Sequence, residues 1–212
     1  MSEKSFWSNK KDKEWFSNFF FYYGKYIIAA IILIIIVVWA TVSCVQKTEY
    51  DLEIYYMSDK HLGSKMFDNL ENELKKVSKD ADGKQGIQIC FHDFTVVPEN
   101  AATSDIDLYM TSKVHAEVAS GHGYLYIMNE EWKDYCVNNE VMEDISSYTG
   151  EQGPVYSYEV TDNKILNDLG IKNDGKLYIG VRMLNVDRRD DKVEVKRHNN
   201  ALKSLQYILE NK

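Results

Sequence analysis

Cysteine is scarce in this sequence: its 212 residues include three cysteines, at positions 44, 90 and 136. None of them belongs to a Cys-x-x-Cys pair, and none shows a zinc-ligand spacing, so the sequence gives no sign of a redox motif or of a structural zinc site. Cys90 and Cys136 lie outside the most apolar segment, and their spacing leaves two alternatives open, a disulfide and two separate thiols. We expect no metal and no other cofactor.

Catalytic motifs are also missing. The chain has no Gly-x-Ser-x-Gly, no glycine-rich phosphate loop and no His-Glu-x-x-His, which argues against the hydrolases and nucleotide-binding enzymes that use them. Asp105 and Asp107 are two positions apart on a predicted helix and therefore do not face each other as an acid–base pair would. We expect that the protein is not an enzyme.

A continuous basic patch is the third missing feature. The chain carries 33 acidic and 25 basic side chains, for a net charge of −8. Its one basic cluster, at positions 188–197, is preceded by Asp187, is interrupted by Asp190, Asp191 and Glu194, and is interpreted as a solvated loop. Because phosphate binding needs clustered lysine and arginine, a nucleic-acid partner is excluded.

The sequence does contain one long apolar run. Residues 26–45 read YIIAAIILIIIVVWATVSCV, with no charged side chain between Lys25 and Lys47. About 20 helical residues span roughly 30 Å, the thickness of the hydrocarbon core of a bilayer. We predict a transmembrane helix at residues 26–46, because the run is longer than the apolar core of a typical cleaved signal. The alternative is a lipidated Cys44 after a loosely lipobox-like ATVSC.

The charges on either side of this run predict its orientation. Five lysines precede it, whereas Lys47 is the only basic residue that follows before Lys60. Basic residues remain on the cytoplasmic side of a membrane. The sequence therefore predicts a single-pass protein of the cell membrane, with a cytoplasmic basic and aromatic tail at residues 1–25 and an extracytoplasmic domain at residues 47–212. The lipid bilayer is its first expected partner.

Strand and helix patterns alternate along the predicted outer domain. Apolar runs predict strands at residues 51–57, 87–94, 124–128 and 177–184. Apolar residues at helical spacing predict helices between them, with Ser64 and Asn129 as N-caps, and a closing helix that begins near residues 199–200. This order is typical of an α/β domain with three layers, a mainly parallel sheet flanked by helices.

Several segments resemble a known family. KVHAEVASGHGYLYIMNEE (residues 113–131), VMEDISSY (141–148), KLYIGVRML (176–184) and NNALKSLQYILEN (199–211) are similar to segments of bacterial extracytoplasmic solute-binding proteins of the periplasmic-binding-protein-like type 2 class. The resemblance implies a recognition domain that binds a small polar ligand or peptide. Members of the family have two lobes and about twice this length, so it implies a single-lobe, membrane-anchored variant here.

The predicted sheet also suggests where a ligand would bind. In open parallel sheets, ligands bind beyond the carboxyl ends of the strands. His122, between Gly121 and Gly123, lies at the opposite end and is interpreted as part of a structural joint. Polar residues follow the carboxyl ends of the first three strands and are the candidate ligand-binding set: Ser58, Asp59, Thr95, Asn129 and Glu130.

Two hypotheses follow. In the first, these hydroxyl, carboxylate and amide groups hold a small polar ligand. Alternatively, they are only helix caps and turn residues, and the domain is a structural or interaction subunit of a membrane complex with no small-molecule ligand.

Overall fold

The computed structural model describes residues 10–45, 49–83, 86–95, 105–172 and 175–211. The chain divides into two units, Met1–Thr48 and Glu49–Lys212. Part of the predicted tail (residues 1–9), the predicted boundary at residues 46–47 and the loop at 98–104 lie outside the described residues.

In the first unit, the residues that the structure describes form one helix, α1 (Lys10–Val45). Within it, Phe21–Trp39 has a mean hydropathy of 2.3, and none of this segment is buried inside the protein. By length and composition, this segment is long and apolar enough to cross a membrane. The helix extends well before the predicted span, so that residues 10–25 continue it without a break.

The second unit is an α/β fold built on five strands, β1 (Leu52–Ser58), β2 (Ile89–Thr95), β3 (Leu125–Met128), β4 (Tyr158–Glu159) and β5 (Tyr178–Val181). Their order in the sheet is β2-β1-β3-β5-β4. β1 is the second strand in this order and pairs in parallel with both of its neighbours, β2 and β3.

The sheet is mixed, because β5 runs antiparallel to its neighbours β3 and β4. The expectation of a mainly parallel sheet therefore holds for β1, β2 and β3 and is wrong for the pairings of β5. Parallel neighbours need a crossover connection, which the helices between β1, β2 and β3 provide. The sequence pattern of β5 gives its apolar character but not its direction.

Helices of the second unit connect and flank these strands: α2 (Ser64–Leu74), α3 (Asp105–Ser120), α4 (Glu130–Asn138), α5 (Ser146–Thr149), α6 (Lys164–Asp168) and α7 (Lys192–Glu210). The side chains of β1 alternate between the two faces of the sheet. Leu52, Ile54 and Tyr56 join a core that includes residues of α2 and α7. Tyr55 and Met57 join a second core with α3 and α4.

Two helix starts differ from the sequence predictions. Gly63, not Ser64, is the N-cap of α2, and it makes no side-chain capping bond. α7 begins at Lys192, well before residues 199–200, and its N-cap Asp191 accepts hydrogen bonds from Val193 N and Glu194 N. The segment interpreted as a solvated loop thus contains the first turns of a helix. Asn129 caps α4 as predicted, since its side chain accepts from Trp132 N.

The start of the sheet is fixed to the last helix. The buried carboxylate of Asp51 accepts from Ala81 N (2.6 Å) and Gln88 N (2.7 Å). On α7, the Asn200 side chain donates to Asp51 O (3.0 Å) and Lys79 O (2.7 Å) and accepts from Lys79 N (3.0 Å). These bonds satisfy backbone groups that would otherwise be buried without partners.

Candidate functional site

The carboxyl ends of β1 and β2 bring together polar residues that are far apart in the sequence. In the register of this parallel pair, Tyr56 is opposite Asp93 and Ser58 is opposite Thr95. Since side chains of opposed residues lie on the same face, these four polar groups share one face at the edge where ligands bind in such sheets.

Two further residues contact them from the turn after β1. We use the name carboxyl-edge cluster for the whole group: Tyr56, Ser58, Asp59, His61, Asp93 and Thr95.

Ser58 is fully buried, and its hydroxyl takes part in the turn that follows β1. Its Oγ donates to Asp59 Oδ1 (3.1 Å) and accepts from Lys60 N (3.4 Å). The side chain of Asp59 is exposed. Ser58 therefore orients a carboxylate that solvent, or a ligand, can reach.

Asp93 is the inner carboxylate of the cluster. Its Oδ2 lies 2.6 Å from His61 Nδ1, and the side chain of Asp93 is 14% exposed whereas that of His61 is 73% exposed. The Thr95 hydroxyl donates to Asp93 Oδ1 (3.1 Å). Hydrogen bonds to an ionised carboxylate are strong, and the His61 imidazole is the more exposed of its two partners.

The Tyr56 hydroxyl is buried and has no hydrogen-bond partner among the described residues. Burial raises the pKa of Tyr56, the adjacent Ser58 hydroxyl lowers it, and the nearby Asp93 and Asp59 carboxylates raise it, so that the net shift of the pKa is upward. The hydroxyl is therefore protonated at neutral pH and keeps an unused donor. A buried polar group without a partner is costly, and such groups are concentrated where function requires them.

Asn129 and Glu130 contribute less to this edge than Ser58, Asp59 and Thr95. The backbone N of Asn129 donates to Met57 O (2.9 Å), which places it beside the end of β1. Its side chain, however, is occupied as the cap of α4. Glu130 is exposed in the first turn of that helix. Among the described residues, no hydrogen bond or ion pair links either side chain to the cluster.

The Gly121-His122-Gly123 joint lies at the other end of the sheet, just before β3. Gly121 has φ +77°, as a left-handed residue after a helix should. Arg182 Nη1 donates to Val118 O, and Arg188 Nη1 donates to Gly121 O (2.8 Å). Two arginines thus bind the carbonyl groups at the end of α3, while His122 is exposed.

A third polar group has the composition of a cation site. Carboxylate oxygens of Asp51, Asp80 and Asp82 lie within 4.8 Å of one another. Both oxygens of Asp51 already accept backbone N–H groups, and Asp80 Oδ1 accepts from Gly83 N (2.5 Å). These bonds close the turn between α2 and β2 and give the carboxylates of Asp51 and Asp80 protein partners.

Tyr56, His61 and Asp93 were not among the site residues predicted from the sequence. A signal for Asp93 existed, since it is a charged residue at an otherwise apolar position of the alternating strand IQICFHDF. Tyr56 gave no such signal, because a tyrosine inside a strand is ordinary core. The position of the Tyr56 hydroxyl beside Asp93 can be recognised only once β1 is paired with β2.

Comparison of the chain with protein-family models, with curated proteins and with solved structures found no match.

Proposed function

We propose that this protein is a membrane-anchored recognition protein whose α/β unit binds a small polar ligand or peptide at the carboxyl-edge cluster. The cluster contains acceptors and hydroxyls rather than cationic groups. The ligand therefore presents hydrogen-bond donors, such as amino or hydroxyl groups. We assign no reaction to the site.

The single observation that carries the proposal is the Tyr56 hydroxyl, a buried donor without a hydrogen-bond partner beside Asp93, near the carboxyl ends of β1 and β2. A ligand acceptor that reached this hydroxyl would remove the cost of leaving it unpaired. A ligand donor would compete with the exposed His61 for Asp93. The resemblance to one lobe of a solute-binding protein supports the same function and the same end of the sheet.

The proposed location of the protein in a membrane rests on the apolar helix of the first unit. One helix there is long and apolar enough to span a bilayer. The lysines that precede it favour a cytoplasmic N-terminus. The α/β unit then lies on the extracytoplasmic side, where it meets ligands from outside the cell.

Ligand-dependent stabilisation tests the proposal. The full chain in nanodiscs is melted in the presence of amino acids, short peptides and sugars, with Trp132 fluorescence as the signal and Trp7, Trp15 and Trp39 replaced by phenylalanine. A ligand that binds only the folded form raises Tm by mass action. We expect a dose-dependent rise that Asp93→Asn and Tyr56→Phe weaken.

Ser112→Ala is the matched control, because it removes an exposed helical hydroxyl that donates only to Leu108 O. Binding that Ser112→Ala leaves unchanged and the two cluster variants weaken supports the proposal. A panel without any shift, from a chain that melts cooperatively, would refute it.

One observation favours the alternative, an interaction subunit without a small-molecule ligand. The first turns of α3 expose large apolar side chains: Ile106 (72%), Tyr109 (68%) and Leu108 (47%). Exposed apolar surface of this kind is typical of sites that bind other proteins. Photo-crosslinking from position 109 in cell membranes tests it, since a specific adduct there together with a silent ligand panel would favour the alternative.

A further inference from the structure

A cavity lies at the opposite end of the sheet from the carboxyl-edge cluster. It has a volume of about 520 Å³ and is lined by Val137, Glu140, Met142, Asp144, Tyr156 and Met183. The antiparallel bridge between Met142 and Arg182 places it near the start of β3, because Arg182 N donates to Tyr124 O (2.8 Å). Its volume is within the range of small-molecule sites.

Backbone hydrogen bonds hold the frame of this cavity in place. Val141 N donates to Cys136 O (3.0 Å), and Met183 N donates to Val141 O (3.0 Å). On the other side, Glu143 N donates to Val181 O (2.8 Å) and Ile145 N donates to Val155 O (2.7 Å). The segments that line the cavity are thus fixed to the sheet and to each other, so the site is formed before any ligand arrives.

The walls combine apolar and aromatic side chains. Met142 is 1% exposed and forms the floor, while Tyr156 and Met183 are 42% and 40% exposed. Partly exposed methionine and tyrosine side chains offer an adaptable thioether and an aromatic face to a ligand. The cavity therefore suits a ligand with an apolar body.

The polar groups at the rim are both acidic. Glu140 is exposed and has φ 55°, a left-handed conformation that is uncommon outside glycine. Asp144 Oδ1 accepts from Ser146 N (2.9 Å) and Val155 N (2.9 Å). Hydrogen bonds from Val155 and Ser146 lower the pKa of Asp144, so this side chain is ionised at neutral pH.

Neither carboxylate forms a salt bridge with a basic residue in the described part of the chain. Two negative charges thus border an apolar, aromatic-lined space. A cation placed there would be attracted by both charges and by the face of the Tyr156 ring.

We propose that this cavity is a binding site for a small organic ammonium ion with an apolar body, which places its charge between Glu140 and Asp144 and its body against Tyr156, Met142 and Met183. The site is independent of the carboxyl-edge cluster, so either proposal can fail without the other.

Calorimetric titration of the full chain in nanodiscs of zwitterionic lipid tests this proposal, with empty nanodiscs as the blank. Three probes of similar shape differ in charge: 2-phenylethylamine (cation), 2-phenylethanol (neutral) and 3-phenylpropionate (anion). We expect saturable binding of the amine, with the neutral alcohol bound about tenfold more weakly and the acid not bound.

The variants Glu140→Gln and Asp144→Asn remove the charges and keep the shapes, and the amide introduced by Asp144→Asn retains an oxygen that can accept from Ser146 N and Val155 N. The double variant should weaken amine binding at least about tenfold, equivalent to roughly 1.4 kcal/mol. Glu131→Gln is the control, because it removes an exposed carboxylate that does not line the cavity. If the double variant does not fold, amine binding is measured with Glu140→Gln alone.

Three results would overturn the proposal: no saturable binding of the amine, equal binding of amine and alcohol, or amine binding that the charge-removing variants leave unchanged. Loss of binding in Glu131→Gln as well would place the amine elsewhere and overturn it too.

Discussion

The ring of Tyr55 occupies the space that a side chain on residue 123 would need. A Cβ added to Gly123 would lie 2.5 Å from Tyr55 Cε1. Tyr55 is fully buried in the middle of β1, which has a strand on each side. Gly123 is therefore required by the packing of the sheet against the joint that follows α3, which gives a structural reason for the second glycine of Gly-His-Gly.

We predict that Gly123→Ala lowers the free energy of unfolding by about 1–3 kcal/mol, the usual cost of overpacking a filled core. Denaturant unfolding of the full chain in detergent, followed by Trp132 fluorescence, measures it. Gly175→Ala is the control, since no atom lies within 4 Å of a Cβ at that position. Equal stability of the two variants would contradict the packing argument.

Asn200→Ala should destabilise the α/β unit by about 2–4 kcal/mol, because it leaves backbone groups of Asp51 and Lys79 without their partners. The neighbouring Asn199 is exposed, and Asn199→Ala should change stability by less than about 0.5 kcal/mol. The same unfolding measurement compares the two variants. A small effect of Asn200→Ala would show that water or a local shift replaces its hydrogen bonds.

His92 predicts a pH dependence of stability. The Cys90 side chain and the Glu53 carboxylate, which lies 3.2 Å from His92 Nε2, raise the pKa of His92 from 6.5 to about 9. Because the folded state holds this proton more tightly, the stabilisation is complete below pH 6.5 and is lost as the pH rises towards 9. His92→Gln should flatten this part of the pH–stability curve.

Proton NMR of the imidazole gives a direct measurement of the same effect. The midpoint for His92 should fall in Glu53→Gln, because the carboxylate no longer stabilises the imidazolium. An unchanged midpoint would show that Glu53 does not affect the titration.

The two cysteines of the α/β unit should differ in reactivity. Both are free thiols, and Cys136 is fully buried whereas Cys90 is partly exposed on β2. Burial raises the pKa of Cys136 to about 12, and the thiolate is the reactive form. Alkylation of the native chain at about pH 8, followed by peptide mass spectrometry, should modify Cys90 and leave Cys136 free until denaturant is added.

The proposed orientation predicts which side of the membrane each unit occupies. In a Cys90→Ser background, a membrane-impermeant maleimide applied to intact cells should label Glu151→Cys, an exposed position of the α/β unit. Lys13→Cys should be labelled only after lysis. The reverse pattern would place the α/β unit in the cytoplasm and would remove the basis for an extracytoplasmic ligand.

The sequence predicted those features that depend on local patterns. The apolar run of β1, the alternation of β2, the helical spacing from Ile106 to Val118 and the cap at Asn129 can each be recognised within a few neighbouring residues. These features were sufficient to predict an α/β fold and one apolar helix.

Features that depend on distant partners were not predictable in this way. The mixed charges at the start of α7 suggested a loop. Two of these side chains have partners far away in the chain, Tyr124 for Glu194 and Glu49 for Arg197, and such pairs cannot be recognised from neighbouring residues. The opposed pairs of the carboxyl-edge cluster and the walls of the cavity beside Met142 likewise require the register of the sheet, which one sequence does not give.

The position of β1 has a mechanical consequence. β1 follows the first residues of the α/β unit, yet it lies inside the sheet with a strand on each side. Asp51 is bound to α7 through Asn200, and Glu49 contacts Arg197 of the same helix (3.3 Å). Tension applied at residue 49 along β1 therefore acts on two rows of inter-strand hydrogen bonds in shear, rather than peeling an edge strand open one bond at a time.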